Sequence, residues 1–330
     1  MSVKKGFKIL IAHNEIPKSG LDVFAEKLER CELVISESRG SPFPSRETLL
    51  NDIKGVDAVM WFGHNHVDRE MIDAAGSQLR VVGSMGAGYD HIDVKLLRER
   101  NIAVSNTPSI LSSAVADMAV GLALAVSRNI VQGYNSILQN NWVVNHPTWM
   151  CGPALDGSTV GIVGLGAIGS KIARRIKTFD IAQLLYTNRR ERPEGVEVGA
   201  KYVSLDQLLA ESDFVFLTVP LTPETKHLLS LEQFRKMKTT SILINVARGD
   251  VINQNDLVTA LQSKMIGGAA LDVMNPEPLP PDHPLTKLSN VVLTPHISSA
   301  TFRARETMAR LAAENICNVL NNKELLTPIP

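Results

Sequence analysis

Short apolar runs alternate with amphipathic segments along most of the chain, and this alternation predicts its elements. Runs rich in β-branched residues, such as residues 7–12 and 58–62, are typical of buried strands. Apolar residues recur at helical spacing in residues 19–30 and 301–320. Further strands are predicted at residues 33–35, 80–85, 159–163, 182–186, 214–220, 241–246, 267–273 and 291–295, and further helices at 45–53 and 254–263. The pattern occurs before residue 105 and again after residue 158, which predicts two doubly wound α/β units with parallel sheets.

An unusually apolar segment, residues 112–126, separates the two patterns. Asp117 interrupts it, and it is shorter than the roughly 18–20 apolar residues that a membrane-spanning helix needs. We therefore predict a helix that is buried between domains or subunits. Residues 140–153, which follow, are polar and aromatic and predict a loop or an arm.

A glycine-rich motif, Gly164-Leu165-Gly166-Ala167-Ile168-Gly169, joins the strand predicted at residues 159–163 to a helical pattern. In a dinucleotide-binding fold the first glycine permits a tight turn, the second lets a pyrophosphate approach, and the third lets helix pack on strand. The pyrophosphate lies against the positive end of the helix. The flanking elements match as well, so we expect a dinucleotide to bind at Gly164, Gly166, Ala167, Ile168 and Gly169.

The end of the next strand predicts which dinucleotide is bound. An NAD site usually places Asp or Glu there, on the ribose hydroxyls. This chain reads Tyr186-Thr187-Asn188-Arg189-Arg190 and has no carboxylate in that stretch. Two arginines supply the positive charge and the planar donors that a 2′-phosphate needs. We expect Asn188, Arg189 and Arg190 to bind NADP(H), with NAD(H) as the alternative cofactor; the competing interpretation is a solvated basic turn.

Composition narrows the class of protein further. The 330 residues are 44% hydrophobic and 21% charged, which is ordinary for a globular protein and enough for two domains. Because 34 basic residues balance 34 acidic ones, no net field favours nucleic acid or a membrane as a partner. Three widely spaced cysteines form neither a disulfide framework nor a C-x-x-C site, so no metal is expected. With an N-terminus that lacks the pattern of a signal peptide, they favour a cytoplasmic location.

Three polar residues follow predicted strands of the second unit, at the sheet edge where ligands of open α/β sheets bind. Arg248 follows residues 241–246 and offers a bidentate cation for a carboxylate or a keto acid. His296 follows residues 291–295 and can transfer a proton near neutral pH. Glu277 can orient the imidazole and favour its charged form. Each alone is an ordinary loop or surface residue; together they supply what hydride transfer to a carbonyl requires.

These motifs, taken with several others, resemble the D-2-hydroxyacid dehydrogenases over nearly the whole chain. The matching stretches are the glycine motif, Gly86-Ala87-Gly88-Tyr89-Asp90-His91-Ile92-Asp93, Val115-Ala116-Asp117-Met118-Ala119, Asn245-Val246-Ala247-Arg248-Gly249-Asp250, Leu271-Asp272-Val273, Pro276-Glu277-Pro278 and Pro295-His296-Ile297-Ser298-Ser299-Ala300-Thr301. Within the family, the chain is most similar to the animal-type, NADPH-preferring glyoxylate/hydroxypyruvate reductases. That similarity lies in Trp149-Met150-Cys151-Gly152, Leu185-Tyr186-Thr187, Pro276-Glu277-Pro278-Leu279-Pro280 and His283-Pro284-Leu285.

The resemblance implies a domain organisation and an oligomeric state. Two doubly wound domains, Rossmann-like and flavodoxin-like, are expected, with the nucleotide domain inserted in the substrate domain. Residues 1–107 would form the first part of the substrate domain, and residues 299–330 a C-terminal helix that returns to it. Residues 108–298 would bind NAD(P), and the inserted domain would form a homodimer.

The resemblance also implies roles for individual residues. The amides of Ala87 and Gly88 would hold the substrate carboxylate, and Arg248 would bind the carboxylate and the carbonyl. His296, paired with Glu277, would protonate the carbonyl oxygen. The positions that further line the cofactor would be Pro220, Val246, Asp272, His296 and Ser298.

The implied function is the NADPH-dependent reduction of glyoxylate and hydroxypyruvate to glycolate and D-glycerate. The alternatives are an NAD-dependent D-lactate- or phosphoglycerate-type dehydrogenase, and a non-catalytic protein that senses a dinucleotide. The chain departs from the family at Ser298, where glycine is usual beside the nicotinamide. It also departs at Asn145 and His146, where the subfamily has a Trp-rich arm that reaches the partner's active site.

Overall fold

The computed structural model describes residues 6–38, 43–63, 65–142 and 146–330. The chain divides into two compact units. Unit 1 comprises Met1–Leu111 together with Ala300–Pro330, and unit 2 comprises Ser112–Ser299. Unit 2 is therefore an insertion in the sequence of unit 1.

Unit 1 contains a five-stranded parallel sheet in the order β2-β1-β3-β4-β5, which is the flavodoxin-like order. Its strands are β1 (Phe7–Ile11), β2 (Cys31–Ile35), β3 (Ala58–Trp61), β4 (Val81–Ser84) and β5 (Ala103–Ser105). Its helices are α1 (Lys18–Lys27), α2 (Arg46–Asp52), α3 (Arg69–Ala75), α4 (Val94–Glu99) and α12 (Phe302–Leu320). The central strands β3 and β4 are buried along their whole length, since a parallel sheet is covered by helices on both faces.

Helix α12 closes unit 1, although it lies nearly two hundred residues away from the other elements along the chain. It packs against α1 and against the central strands β3 and β4. Its start is set by Thr301, whose hydroxyl accepts a hydrogen bond from the backbone N–H of Ala304. Its buried residues are apolar except for Asn315, so the helix is held mainly by the core of unit 1.

Unit 2 contains a seven-stranded parallel sheet in the order β12-β11-β10-β9-β6-β7-β8. Its strands are β6 (Thr159–Val163), β7 (Gln183–Thr187), β8 (Lys201–Tyr202), β9 (Phe214–Leu217), β10 (Ile242–Asn245), β11 (Gly268–Leu271) and β12 (Val291–Leu293). Its helices are α5 (Ser112–Ser127), α6 (Ile130–Leu138), α7 (Ala167–Ile176), α8 (Pro193–Val198), α9 (Leu205–Glu211), α10 (Leu231–Phe234) and α11 (Gln254–Gln262). The strand order reverses between β6 and β9, and this is where a Rossmann fold binds its dinucleotide.

The apolar segment at residues 112–126 forms helix α5 and packs within unit 2. It lies against α7 and against β10 and β11, which accounts for its buried residues. The sequence predicts that this segment is buried between domains or subunits. An apolar pattern shows that a helix is buried but not which sheet it packs on. Asp117, which interrupts the apolar run, forms an ion pair with Arg175 of α7 at 2.5 Å. In the part of the chain that the structure describes, no single helix has the length and apolarity to cross a bilayer; only α5 and α6 together do, with a bend of 58° between them.

The fold class predicted from the sequence, two doubly wound parallel-sheet units, is confirmed. Most predicted strands and helices are present and end within a few residues of the expected positions. No element is predicted from the sequence at the positions of β5, β8, α3, α4, α6, α8, α9 and α10. Residues 140–142 and 146–153 contain no helix or strand, as predicted, and residues 143–145 lie outside the described part of the chain.

Candidate functional site

The glycine motif forms a tight turn between β6 and α7. Gly164 has a φ of +99°, a conformation that favours glycine, and a Cβ there would lie 2.8 Å from a methyl group of Val219. A Cβ on Gly169 would lie 2.2 Å from the carbonyl oxygen of Gly164, so only glycine lets α7 begin this close to the strand. The first and third glycines are thus required by the backbone alone.

The middle of this turn fits a dinucleotide pyrophosphate. Gly166 is the residue before the first turn of α7, and no side chain caps the helix there. A Cβ on Gly166 would meet no atom within 4 Å, which leaves open space in front of the first amides of the helix. A helix N-terminus with uncapped amides and open space is a site for a phosphate group. Ala167 and Ile168 supply the backbone N–H groups at this position.

The basic residues after β7 are at the surface, where solvent and a charged ligand can reach them. Arg189 and Arg190 are exposed, whereas Asn188 is half-buried and its carbonyl oxygen accepts a hydrogen bond from the Tyr202 hydroxyl at 3.0 Å. Glu224, in the loop after β9, has a lowered pKa, chiefly because Thr222 hydrogen bonds to its carboxylate and also because Arg189 is near.

His296 and Glu277 form a direct pair after β12 and β11. The imidazole Nδ1 lies 2.7 Å from Glu277 Oε2, and the other carboxylate oxygen accepts the backbone N–H of Met274 at 2.9 Å. The Glu277 side chain is 16% exposed and that of His296 is 36% exposed, so the ring keeps one edge open. A half-buried carboxylate held in this way fixes the ring orientation and presents Nε2 outward.

Asp272 holds the backbone on both sides of His296. This residue, at the end of β11, is 1% exposed. One carboxylate oxygen accepts the Thr294 hydroxyl at 2.6 Å and the N–H of Ile297 at 2.9 Å. The other accepts the N–H of Ser298 at 2.9 Å. His296 has a φ of +55°. The bonds of Asp272 to Thr294, two residues before His296, and to Ile297 and Ser298, directly after it, hold this unusual conformation.

Arg248 lies in a loop that Asn245 fixes. The amide of the buried Asn245 donates to the carbonyl of Arg248 at 2.9 Å and accepts the N–H of Ala247 at 3.0 Å. The same loop packs closely on the segment that leads to Glu277, because a Cβ on Gly249 would lie 2.2 Å from the carbonyl carbon of Met274. The structure thus brings the Arg248 loop, Glu277 and His296 to one edge of the unit 2 sheet.

The other predicted cofactor residues follow neighbouring strands at the same edge. Pro220 comes after β9, Val246 after β10 and Ser298 after β12. Pro220 is exposed, while Val246 and Ser298 are buried. The hydroxyl of Ser298 is a buried polar atom without a hydrogen-bond partner among the described residues, so it can bond to a polar group of a ligand.

The predicted carboxylate-binding residues belong to unit 1. Ala87 and Gly88 form the turn after β4 and are partly buried. The side-chain amide of Asn106 donates to the carbonyl of Ala87 at 2.7 Å, and the N–H of Thr107 donates to the carbonyl of Gly86 at 2.8 Å. The turn is therefore fixed from one side by the residues that follow β5.

The residues that hold these side chains in place are not evident from the sequence. Asp272 is predicted at the cofactor, and its carboxylate also holds the loop that follows β12. No role is predicted from the sequence for Asn245 or for Gln254. The side-chain amide of Gln254 bonds to both the N–H and the carbonyl of Asn275, just before Glu277. A buried polar residue at the end of an apolar strand is the signal that could have pointed to Asn245. Of the two residues of the predicted arm, His146 is exposed and Asn145 lies outside the described part.

Comparison with known proteins decides the family. The model of the D-isomer specific 2-hydroxyacid dehydrogenase NAD binding domain matches residues 120–298, more than half of the chain. The chain belongs to the D-isomer specific 2-hydroxyacid dehydrogenase family. It is therefore an NAD(P)-dependent oxidoreductase, and the resemblance drawn from its motifs is confirmed.

Individual members of this family are similar over nearly their whole length. A glyoxylate reductase of Thermofilum pendens is 46% identical over 325 residues, which cover 96% of this chain and 94% of the relative. A glyoxylate reductase/hydroxypyruvate reductase of Mus musculus is 44% identical over 302 residues, 91% of each chain. The solved structure of an NADPH-dependent glyoxylate/hydroxypyruvate reductase from Sinorhizobium meliloti, in complex with NADP and malonate, has a TM-score of 0.80 and 31% identity, and covers 98% of this chain and 97% of that one.

Proposed function

We propose that this dehydrogenase reduces glyoxylate and hydroxypyruvate to glycolate and D-glycerate, with NADPH as the preferred reductant. The observation that carries the proposal is the His296–Glu277 pair at 2.7 Å, at the sheet edge that also bears the glycine turn. The names of the Thermofilum pendens and Mus musculus relatives support the choice of substrates.

The chain's own residues have separate roles in this proposal. A bound reduced nicotinamide supplies hydride to the carbonyl carbon. His296 donates a proton from Nε2 to the carbonyl oxygen, since Nδ1 is occupied by Glu277. Arg248 binds the substrate carboxylate and polarises the carbonyl. The amides of Ala87 and Gly88, in the turn after β4, are the proposed carboxylate-binding groups of unit 1.

The preference for NADPH rests on the basic turn after β7. We expect the double variant Arg189→Gln with Arg190→Gln to raise the KM for NADPH by ~10-fold or more and to leave the KM for NADH nearly unchanged, because only NADPH has a 2′-phosphate for the guanidinium groups to bind. The structure of the Sinorhizobium meliloti enzyme with NADP shows that a family member of this fold accepts that cofactor. The measurement is the loss of absorbance at about 340 nm with hydroxypyruvate and each cofactor.

The matched control is Arg192→Gln with Lys201→Gln, which removes two nearby positive charges outside the proposed phosphate site. Equal effects of the Arg189/Arg190 variant on both cofactors would contradict the assignment. A wild-type enzyme faster with NADH would keep the reaction and reverse the cofactor preference. If neither cofactor is oxidised although both bind, another 2-oxo acid or a dinucleotide-sensing role takes the place of the proposal.

A homodimer formed through unit 2 is the proposed assembly. Helix α6 and the segment after it expose large apolar side chains, which face water unless a second subunit covers them: Ile130, Val131, Tyr134, Ile137, Leu138 and Trp142. Contiguous apolar surface of this kind is typical of an interface between subunits. All three cysteines are unpaired, which agrees with the reducing cytoplasm as the proposed compartment.

Leu138→Glu should therefore shift the protein from a dimer to a monomer of 36.0 kDa, because a charge would have to be buried without a partner. Light scattering coupled to size-exclusion chromatography measures the mass. Val196→Glu is the matched control: it places the same charge on an apolar residue of α8 that is 82% exposed and lies outside the patch. A wild-type protein that is monomeric at micromolar concentration would contradict the proposal.

A further inference from the structure

The turn after β4 in unit 1 has a geometry that follows from two hydrogen bonds. The carbonyl of Gly86 accepts the N–H of Thr107 at 2.8 Å, and the carbonyl of Ala87 accepts the Asn106 side-chain amide at 2.7 Å. Two successive peptide groups therefore point their carbonyls toward the same neighbouring segment. Neither peptide bond is cis.

In a trans peptide the carbonyl and the following N–H point in opposite directions. The N–H groups of Ala87 and Gly88 are therefore directed away from Asn106 and Thr107, from the other side of the turn. Within the described residues, neither of these two amides donates to a protein acceptor. Two adjacent backbone donors that share a direction form a small anion-binding site, suited to a carboxylate.

Asn106 is itself held by a chain of hydrogen bonds. It is 5% exposed, and its backbone carbonyl accepts the Thr327 hydroxyl at 2.6 Å. That hydroxyl accepts in turn from the amide of Asn315, a residue of α12 with no exposed surface, at 2.9 Å. The oxygen of the same Asn315 amide accepts the N–H groups of Leu326 and Thr327 at 2.9 and 3.0 Å. The segment near residue 327 is thus tied both to α12 and to the end of β5.

We infer that Asn106 is a positioning residue for the substrate carboxylate: it holds the Ala87 carbonyl so that the Gly88 N–H faces the ligand, and Thr327 and Asn315 hold Asn106. This inference rests on the proposed function, which supplies the carboxylate. Three residues are thereby added to those that determine substrate affinity: Asn106 after β5, Asn315 on α12 and Thr327 in the C-terminal segment. None of these residues touches the reacting atoms.

The test compares Asn106→Leu with the wild-type enzyme. Leucine has a similar shape and lacks the donor, so the Ala87 peptide is free to rotate and one hydrogen bond to the carboxylate is lost. We expect the KM for glyoxylate and hydroxypyruvate to rise about tenfold, as for one charge-assisted hydrogen bond, with a much smaller change in kcat and no change in NADPH affinity. Thr327→Val, which breaks the next link, should raise the KM by a smaller factor.

The matched control is Asn318→Leu. Like Asn315, Asn318 lies on α12. Its amide donates to the carbonyl of Glu324 at 3.1 Å, and among the described residues no hydrogen bond links it to the turn at Ala87. The same substitution there removes the same kind of bond and should leave the KM unchanged. An increase in KM equal to that of Asn106→Leu would show a general effect on unit 1 and would overturn the inference.

A second measurement does not depend on turnover. Oxamate, a 2-oxo carboxylate whose amide carbonyl is not reduced, is titrated into ¹⁵N-labelled holoenzyme with NADPH. We expect the amide signals of Ala87 and Gly88 to shift in the wild type, and in Asn106→Leu only at about tenfold higher oxamate concentration. Equal affinities in the two proteins, or no shift of these two signals in a wild-type enzyme that reduces hydroxypyruvate, would overturn the inference and leave the proposed function standing. If the wild type reduces no 2-oxo acid, the proposed function fails and the titration alone decides on Asn106.

Discussion

The variant His296→Asn is expected to lose kcat for hydroxypyruvate by ~10²–10⁴-fold, the range for removal of a general acid. Asparagine cannot donate a proton to a developing alkoxide in the way an imidazolium does, so the carbonyl oxygen must take its proton from water. Asparagine is chosen because residue 296 has a φ of +55°, and asparagine adopts that conformation with less strain than alanine. NADPH affinity, measured by quenching of protein fluorescence, should change little.

A second histidine in the same unit offers a matched control. His227 has a φ of +53° and is exposed in the loop after β9. His227→Asn therefore makes the same exchange in the same backbone conformation and should keep wild-type kcat. If His296→Asn turns over as fast as His227→Asn, the imidazole is not the proton donor, and the proposed mechanism is wrong.

The sequence could predict the glycine turn and the strand ends because their causes are local. β-branched runs specify buried strands wherever they occur, and Gly164 is required by its own φ. Two of the elements that are not predicted from the sequence, β8 and α6, have weak local signals. β8 has only two residues, both exposed, and α6 directs its apolar side chains outward rather than into the core of unit 2.

In the candidate site, too, the residues could be predicted from local sequence, whereas the contacts between them could not. Arg248, Glu277 and His296 were predicted because each follows a strand, and parallel strands end at one edge of a sheet. Which of them touch depends on strand order and loop path, which local patterns do not contain. Asp272 shows this most clearly: its position after β11 was evident, but its three hydrogen bonds reach residues 22 to 26 positions further along the chain.

That arrangement makes Asp272→Asn the variant with the second largest expected effect. The new amide keeps the shape of the carboxylate but turns one acceptor into a donor, so it must face the N–H of Ser298 or the donors on the other side. At least one buried donor then loses its partner, which costs about 2–4 kcal/mol in the free energy of unfolding. The backbone on both sides of His296 is released as well, and we expect kcat to fall by ~10-fold or more.

The two effects are separated by Asp213→Asn in the same unit. Asp213 accepts the N–H of Thr159 at 2.8 Å and the Lys238 ammonium at 2.7 Å, but it lies just before β9, at the amino end of the strands. The variant Asp213→Asn should lower the midpoint of urea unfolding without lowering kcat at a temperature where it is folded. Asp272→Asn should lower both. If Asp272→Asn is destabilised yet keeps full kcat, the loop after β12 holds His296 without the carboxylate of Asp272. The unusual φ of His296 would then have to be maintained by the bond between its ring and Glu277.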